Sequence, residues 1–399
     1  MPLDRLTRKR LFLAGCAFTG VAAITLPTLA QKPTSGPVAR YDMRAGTVSG
    51  MAGMGGMSMM FGGGGNNLQH ELLLRLGSSN APDKGKPKAD HFMPSGAKLG
   101  KSVALTTPAQ TVEDGKEDFQ RPKGRLLLYW GCGAHAGKGQ PVVIDFARLA
   151  AGQMPPGLFS GSIPRDFGPT QSNSRTFGRW PSEDRKYVKA DSSLIGAHRI
   201  AGNYSPEIAF SLTKDFMAPL RARSNSLPGG VTNLSWGGIA GATGYYSWAM
   251  GGKMGPNGEM GDMVWWTSSS SREFGGGLGD WLAPGTVAGL AQKKVVMPST
   301  QTSCTLPAEV KRDAPDFLMG MLTAFGPEEN FSYPPRPADH KAAWALQWTA
   351  RIRHRSTTSW MINAPDMGGM NSGADDGGKP RCKGGLGGML GGGLLGGGC

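Results

Sequence analysis

The chain has 399 residues, 63 of them glycine and 21 methionine, and carries a formal charge of +14. Glycine at that density is roughly twice the usual ~7% and lacks the Gly-X-Y period of collagen, while interior glycines disfavour long helices. Ten Trp and fifteen Phe within a 39% hydrophobic chain exclude wholesale disorder.

Residues 1–30 read as a secretory signal peptide. A basic stretch from Met1 to Arg10 precedes an apolar run that ends at Pro27-Thr28-Leu29-Ala30. Lys9-Arg10-Leu11-Phe12-Leu13 resembles a twin-arginine signal with lysine in the first position. Leu13-Ala14-Gly15-Cys16 resembles a lipobox. Cleavage near Ala30 is the main expectation, so the protein belongs to the periplasm or cell surface of a bacterium. Beyond this run no apolar stretch is long enough to span a bilayer. The remaining positive charge is spread thinly, without the basic stripe of a nucleic-acid binder.

Residues 31–96 form a Met/Gly-rich N-terminal segment with two short strands, Arg40–Ala45 and Glu71–Leu76. Between those strands lies a loop carrying Met51, Met54, Met57, Met59 and Met60. From 97 the pattern turns to β. Arg125–Trp130 and Pro141–Phe146 are short apolar runs, and Ile208, Phe210 and Leu212 alternate with smaller residues as in a half-buried strand. Pro219 and Pro228-Gly229-Gly230 mark a boundary between domains at 97–217 and 218–360.

Val231-Thr-Asn-Leu-Ser-Trp236 runs through Ala242-Thr-Gly-Tyr245 into Tyr246-Ser-Trp248. This stretch, 231–249, resembles strands B and C of a fibronectin type III domain. The resemblance implies a sandwich with Leu234 and Trp236 facing the core and Asn233 and Ser235 outside; it implies no activity, because the fold hosts many functions. Trp344 to Arg353 alternates strictly over ten residues and reads as a strand. Residues 361–399 are a Gly-rich low-complexity tail. The fold class expected is therefore all-β, two consecutive β-sandwich (Ig/fibronectin III-like) domains with glycine-rich flanking segments.

The five loop methionines suit a soft ion such as copper(I), which favours thioether ligands. Their spacing resembles the methionine motifs of periplasmic copper proteins, although methionine also serves as a flexible gap-filler. Two further groups are Met250, Met254, Met260 and Met263, then Met361, Met367 and Met370. Arg351, Arg353 and Arg355 share one face of their strand and would suit an anionic polymer; a solvated face that protects the strand is the alternative.

Gly131-Cys-Gly133-Ala-His-Ala136 formally fits a dinucleotide fingerprint, but a second strand rather than a helix follows, so a glycine turn is expected. Trp265 and Trp266 are adjacent and must point to opposite faces of a strand. Without the signal, Cys132, Cys304, Cys382 and Cys399 allow three pairings that sequence does not separate. No catalytic motif occurs. The function expected is non-enzymatic: binding of, or structural contact with, an envelope protein or anionic polymer. Copper handling is the alternative, and an enzyme of unrecognised type stands third.

Overall fold

A computed structural model describes residues 36–51, 68–108, 124–153, 161–162, 166–182, 187–255, 260–339 and 341–362. These residues belong to one compact unit; residues 1–35 and the glycine-rich stretch beyond 362 lie outside them. In chain order the strands are β1 (Ala39–Gly50), β2 (Gln69–Ser78), β3 (Ala89–Phe92), β4 (Ser102–Ala104), β5 (Arg125–Trp130) and β6 (Val142–Asp145). After the short helix α1 (Phe146–Ala150) come β7 (Thr176–Trp180), β8 (Tyr187–Val188), β9 (Gly196–Gly202), β10 (Ile208–Leu212), β11 (Ala222–Ser226) and β12 (Thr232–Trp236). Next are β13 (Gly244–Met254), β14 (Met260–Thr267), α2 (Pro284–Gln292), β15 (Met297–Pro298) and β16 (Ser303–Leu306). The series closes with α3 (Ala308–Asp313), β17 (Phe317–Tyr333) and β18 (Trp348–Met361).

The protein is predominantly β, as its composition implies. Its organising element is one long sheet in the order β6-β5-β14-β13-β17-β18-β1-β2-β7, with β15 and β8 attached to β13 and β2. Most pairs are antiparallel; β1 with β18 and β5 with β14 are parallel. Two smaller sheets, β10-β9-β3-β4 and β11-β12-β16, complete the set.

Period-two alternation explains how the layers meet. Trp348, Ala350 and Ile352 of β18 pack with Tyr41 and Met43 of β1 and with Ile200, Ile208 and Phe210 of the four-stranded sheet. Further along β18, Trp360, together with the following Ile362, belongs to a second core with Leu318 and Leu322 of β17 and Leu234 and Trp236 of β12. All these β18 side chains share one parity, so both small sheets cover the same face of the long sheet at different places. The opposite face is covered by α2, whose Val287 and Leu290 pack on Tyr246 and Phe325.

The boundary expected at 217/218 does not divide the long sheet, because β5, β6 and β7 precede it and pair in the same sheet as β13, β14 and β17. The chain around it is stitched down. Thr47 Oγ1 donates to the Met217 carbonyl at 2.6 Å, Ser49 Oγ donates to the Leu220 carbonyl at 2.6 Å, and Leu220 N donates to Ser356 Oγ at 3.1 Å. Gly50 ends β1 with φ +65, and a Cβ there would collide with the Ser359 carbonyl of β18. Parallel approach at that point therefore needs glycine.

The expected strand at Trp344–Arg353 starts later than its alternation suggests. Its last pair with β17 is Tyr333 with Trp348, and residues 344–347 belong to the connecting loop. Trp344 Nε1 instead donates to the Pro334 carbonyl at 3.0 Å, closing a turn that the prolines at 334, 335 and 337 prevent from pairing. No helix among the described residues is long and apolar enough to cross a membrane.

Cys132, just past β5, forms a disulfide with Cys304 of β16, 172 residues away. It ties an end of the long sheet to the three-stranded one. Replacing both cysteines with alanine is expected to lower stability by about 2–5 kcal/mol through the longer loop released in the unfolded chain. Urea unfolding followed by tryptophan fluorescence measures it; an unchanged midpoint would contradict this role.

Candidate functional site

On β1, Tyr41, Met43 and Ala45 point into the core while Arg40, Asp42 and Arg44 point to the other face. Register then decides what they meet. Asp42 lies opposite Arg351, Arg44 opposite Arg353, and Gly46 opposite Arg355. On the other flank Glu71 of β2 lies opposite Gly46. The three arginines do share one face, as their spacing implies, and on it they converge on carboxylates.

Asp42 is 1% exposed and accepts from three guanidinium groups. Arg351 Nε donates to it at 2.8 Å, Arg44 Nε at 3.0 Å, and Arg353 Nη2 reaches both oxygens at 3.2 and 3.3 Å. Asp166, from a loop above the sheet, accepts from Arg351 at 2.9 Å, from Arg353 at 3.3 Å and from Arg44. Burial alone would raise the Asp42 carboxyl, but the charges of Arg353, Arg351 and Arg44 outweigh it and hold the group below the ordinary carboxylate value. Against the same opposing burial, these three hold Asp166 at about 2.

A second loop completes the cover. Arg353 Nη1 donates to the Trp281 carbonyl at 2.5 Å, and Arg355 donates to the Gly279 carbonyl at 2.7 Å and to Glu71 Oε2 at 2.9 Å. The Arg355 guanidinium lies 4.1 Å from the centre of the Trp281 ring, a cation–π contact. That ring rests on the sheet above Gly46, where a Cβ would come within 2.8 Å of it. Arg353 is 4% exposed. The donor forks that would serve an anionic polymer are thus directed to internal acceptors, and the ladder is a covered ion network rather than a solvated face.

A second polar device lies inside the core beneath the four-stranded sheet. Tyr41 Oη is 2.6 Å from His91 Nδ1, His91 Nε2 is 3.0 Å from His198 Nδ1, and His198 Nε2 is 2.7 Å from the Leu194 carbonyl. A carbonyl only accepts, so His198 carries its proton on Nε2 and presents a bare Nδ1. His91 must then donate from Nε2 and accept at Nδ1, and Tyr41 donates into it. The chain has one direction and both rings are neutral. Burial lowers the pKa of both histidines, most strongly that of His91, which is 0% exposed. His354 and His70 are lowered by burial too, His354 to about 4.

The other sequence candidates fall in different places. Met51 follows β1 directly and is half-buried, whereas Met54, Met57, Met59 and Met60 lie outside the described residues. Met250 and Met263 are packed in a core with Leu126, Leu128 and Trp265. Trp265 and Trp266 do face opposite sides of β14, and both are buried, so neither is an open sugar platform. The glycine stretch at 131–136 is a turn whose His135 pairs with Glu309 at 3.1 Å. Asp42, Arg44, Asp166, Glu71 and the histidine chain carried no signal in sequence, beyond the parity that sets Asp42 and Arg44 opposite Tyr41 and Met43. The chain matches no model of a known protein family, and no curated protein matches it.

Removing one partner from a buried ion network leaves uncompensated charge, so Asp42→Ala is expected to cost about 3–5 kcal/mol. Chemical unfolding of the variant checks this; a loss below 1 kcal/mol would contradict the network. Stability should also fall in two steps as pH drops. Between about 6.5, the ordinary histidine value, and about 4, the unfolded chain binds protons that buried His91, His198, His354 and His70 refuse. Below about 4, towards about 2, the lowered carboxylates Asp42 and Asp166 lose their contribution as they protonate. Urea midpoints measured from pH 8 to about pH 2 test both steps, and a flat profile would contradict them.

Proposed function

We propose that this chain is an exported, non-enzymatic protein that binds, or builds structure with, a protein or polymer of the bacterial envelope. The observation that carries the reading is the β17–β18 hairpin. It ends in a proline-rich loop where Tyr333 is 55% exposed and the Arg336 guanidinium lies 5.9 Å from the centre of the Trp344 ring. An exposed tyrosine ring, followed three residues later by an exposed arginine, supplies contact area with a polar handle, and loops at the end of a sandwich are common contact surfaces. The charged groups of the ladder, by contrast, are engaged with one another.

A fibronectin III-like sandwich over 218–360 is the framework of this proposal. β11-β12-β16 forms one layer and β14-β13-β17-β18 the facing one, and the two halves of the 231–249 resemblance fall in opposite layers. Leu234 and Trp236 are core residues, and Trp236 lies 5.6 Å from Tyr245 across the interior. In this reading the β10-β9-β3-β4 layer makes the second sandwich on a shared central sheet. Export is supported by the Cys132–Cys304 bond, which suits an oxidising compartment. Soft-metal handling, expected through the Met-rich loops, is the second reading; Met54, Met57, Met59 and Met60 lie outside the described residues, and what favours the reading is a row of methionines on the long sheet.

Co-sedimentation of the purified protein with isolated bacterial envelopes tests the hairpin. A Tyr333→Ser, Arg336→Ala variant, which leaves the Trp344–Pro334 hydrogen bond in place, is expected to lose at least about tenfold in affinity, as for truncated hot spots, with its thermal midpoint little changed. Equal sedimentation of variant and parent would overturn the assignment.

A further inference from the structure

Three methionines far apart in sequence stand side by side on adjacent strands. Met250 of β13 is opposite Met319 of β17, and Met319 is opposite Met361 of β18. Met321, two residues along β17, lies between Trp248 and Ser359. By alternation all four occupy the face opposite Leu318 and Leu322. Directly opposed Cα atoms lie about 4.5–5.5 Å apart, so the row of three spans roughly 10 Å. Methionine side chains with three rotatable bonds can bring sulfurs together over that span.

The surroundings suit a ligand rather than simple filling of a core. Met250 is 9% exposed and packed with Trp265, which gives the row a fixed end. Met319, Met321 and Met361 keep partial exposure. Trp248, stacked on Trp265 at 4.6 Å between ring centres, walls the next row. Neutral thioethers are soft donors and match a monovalent soft ion, whereas divalent hard ions prefer oxygen.

We propose that Met250, Met319, Met321 and Met361 form a soft-metal site that takes Cu(I), or Ag(I) in its place, through thioether sulfur. The site is distinct from the methionine loop at 51–60, and it stands or falls independently of the hairpin. Ag(I) is the probe, because it needs no reductant that would open the disulfide. The full chain, with its free thiols alkylated and its methionine methyl groups carbon-13 labelled, is titrated and followed by NMR.

One equivalent of Ag(I) is expected to shift the methyl signals of these four methionines together. The volume-conserving variant Met319→Leu, Met361→Leu should weaken binding at least about tenfold at an unchanged thermal midpoint. Met54→Leu, Met57→Leu, Met59→Leu should leave the four shifts as they are. Shifts confined to other methionines, or undiminished affinity in the sheet variant, would overturn the site. Should the double variant unfold, Met319→Leu alone and the shift map of the parent protein give the same decision.

Discussion

Asp42 is ionised and almost wholly buried because β1 runs parallel beside β18, and this pairing holds the two halves of the chain together. The pair sets Arg351 and Arg353 against a carboxylate about three hundred positions earlier, while Arg44 closes on it from its own strand. A slip of one residue would turn both Asp42 and Arg44 to the core face and leave Arg351 and Arg353 without the Asp42 carboxylate. Buried ions cost several kcal/mol each in lost hydration, so the network contributes mainly by penalising every other register. The loops at Asp166 and Gly279–Trp281 are fastened over the sheet by the same side chains.

The long sheet carries apolar layers on both faces, and its polar groups are concentrated where loops can cover them. Within the core, the Tyr41–His91–His198 chain satisfies each donor in a single direction and ends on a backbone carbonyl. Such a chain stays neutral, adds rigidity and offers no group to solvent. Among the described residues, Tyr333 at the end of β17 is exposed and a row of thioethers on the long sheet keeps partial exposure. These two surfaces carry the functional readings, and they lie on different parts of the sheet.

Much of the strand content was legible because alternation is a local property. β5 matches the apolar run Arg125–Trp130, and β10 buries Ile208, Phe210 and Leu212 while exposing Ala209 and Ser211. Leu234 and Trp236 of β12 face a core, while Asn233 and Ser235 between them are half-buried. Alternation misleads at Trp344, where a proline-rich turn claims four more residues before pairing begins at Trp348. Of the candidate site, the common face of Arg351, Arg353 and Arg355 could be read, but their partners could not. Asp42, Asp166 and Glu71 lie far away in the chain, and a charged strand face looks the same in sequence whether water or a loop covers it.

The sequence by itself determined that the chain is β-rich, which side of several strands each residue takes, and where glycine and proline interrupt them. These follow from backbone sterics and a period of two, which need only neighbouring residues. Tertiary structure alone decided that both halves share one sheet across the expected boundary, that Cys132 meets Cys304, that the arginine ladder is covered, and that Met250, Met319 and Met361 stand in one row. Each of these depends on the register of strands distant in the chain, and that register is set by burial and ion pairing across the whole fold.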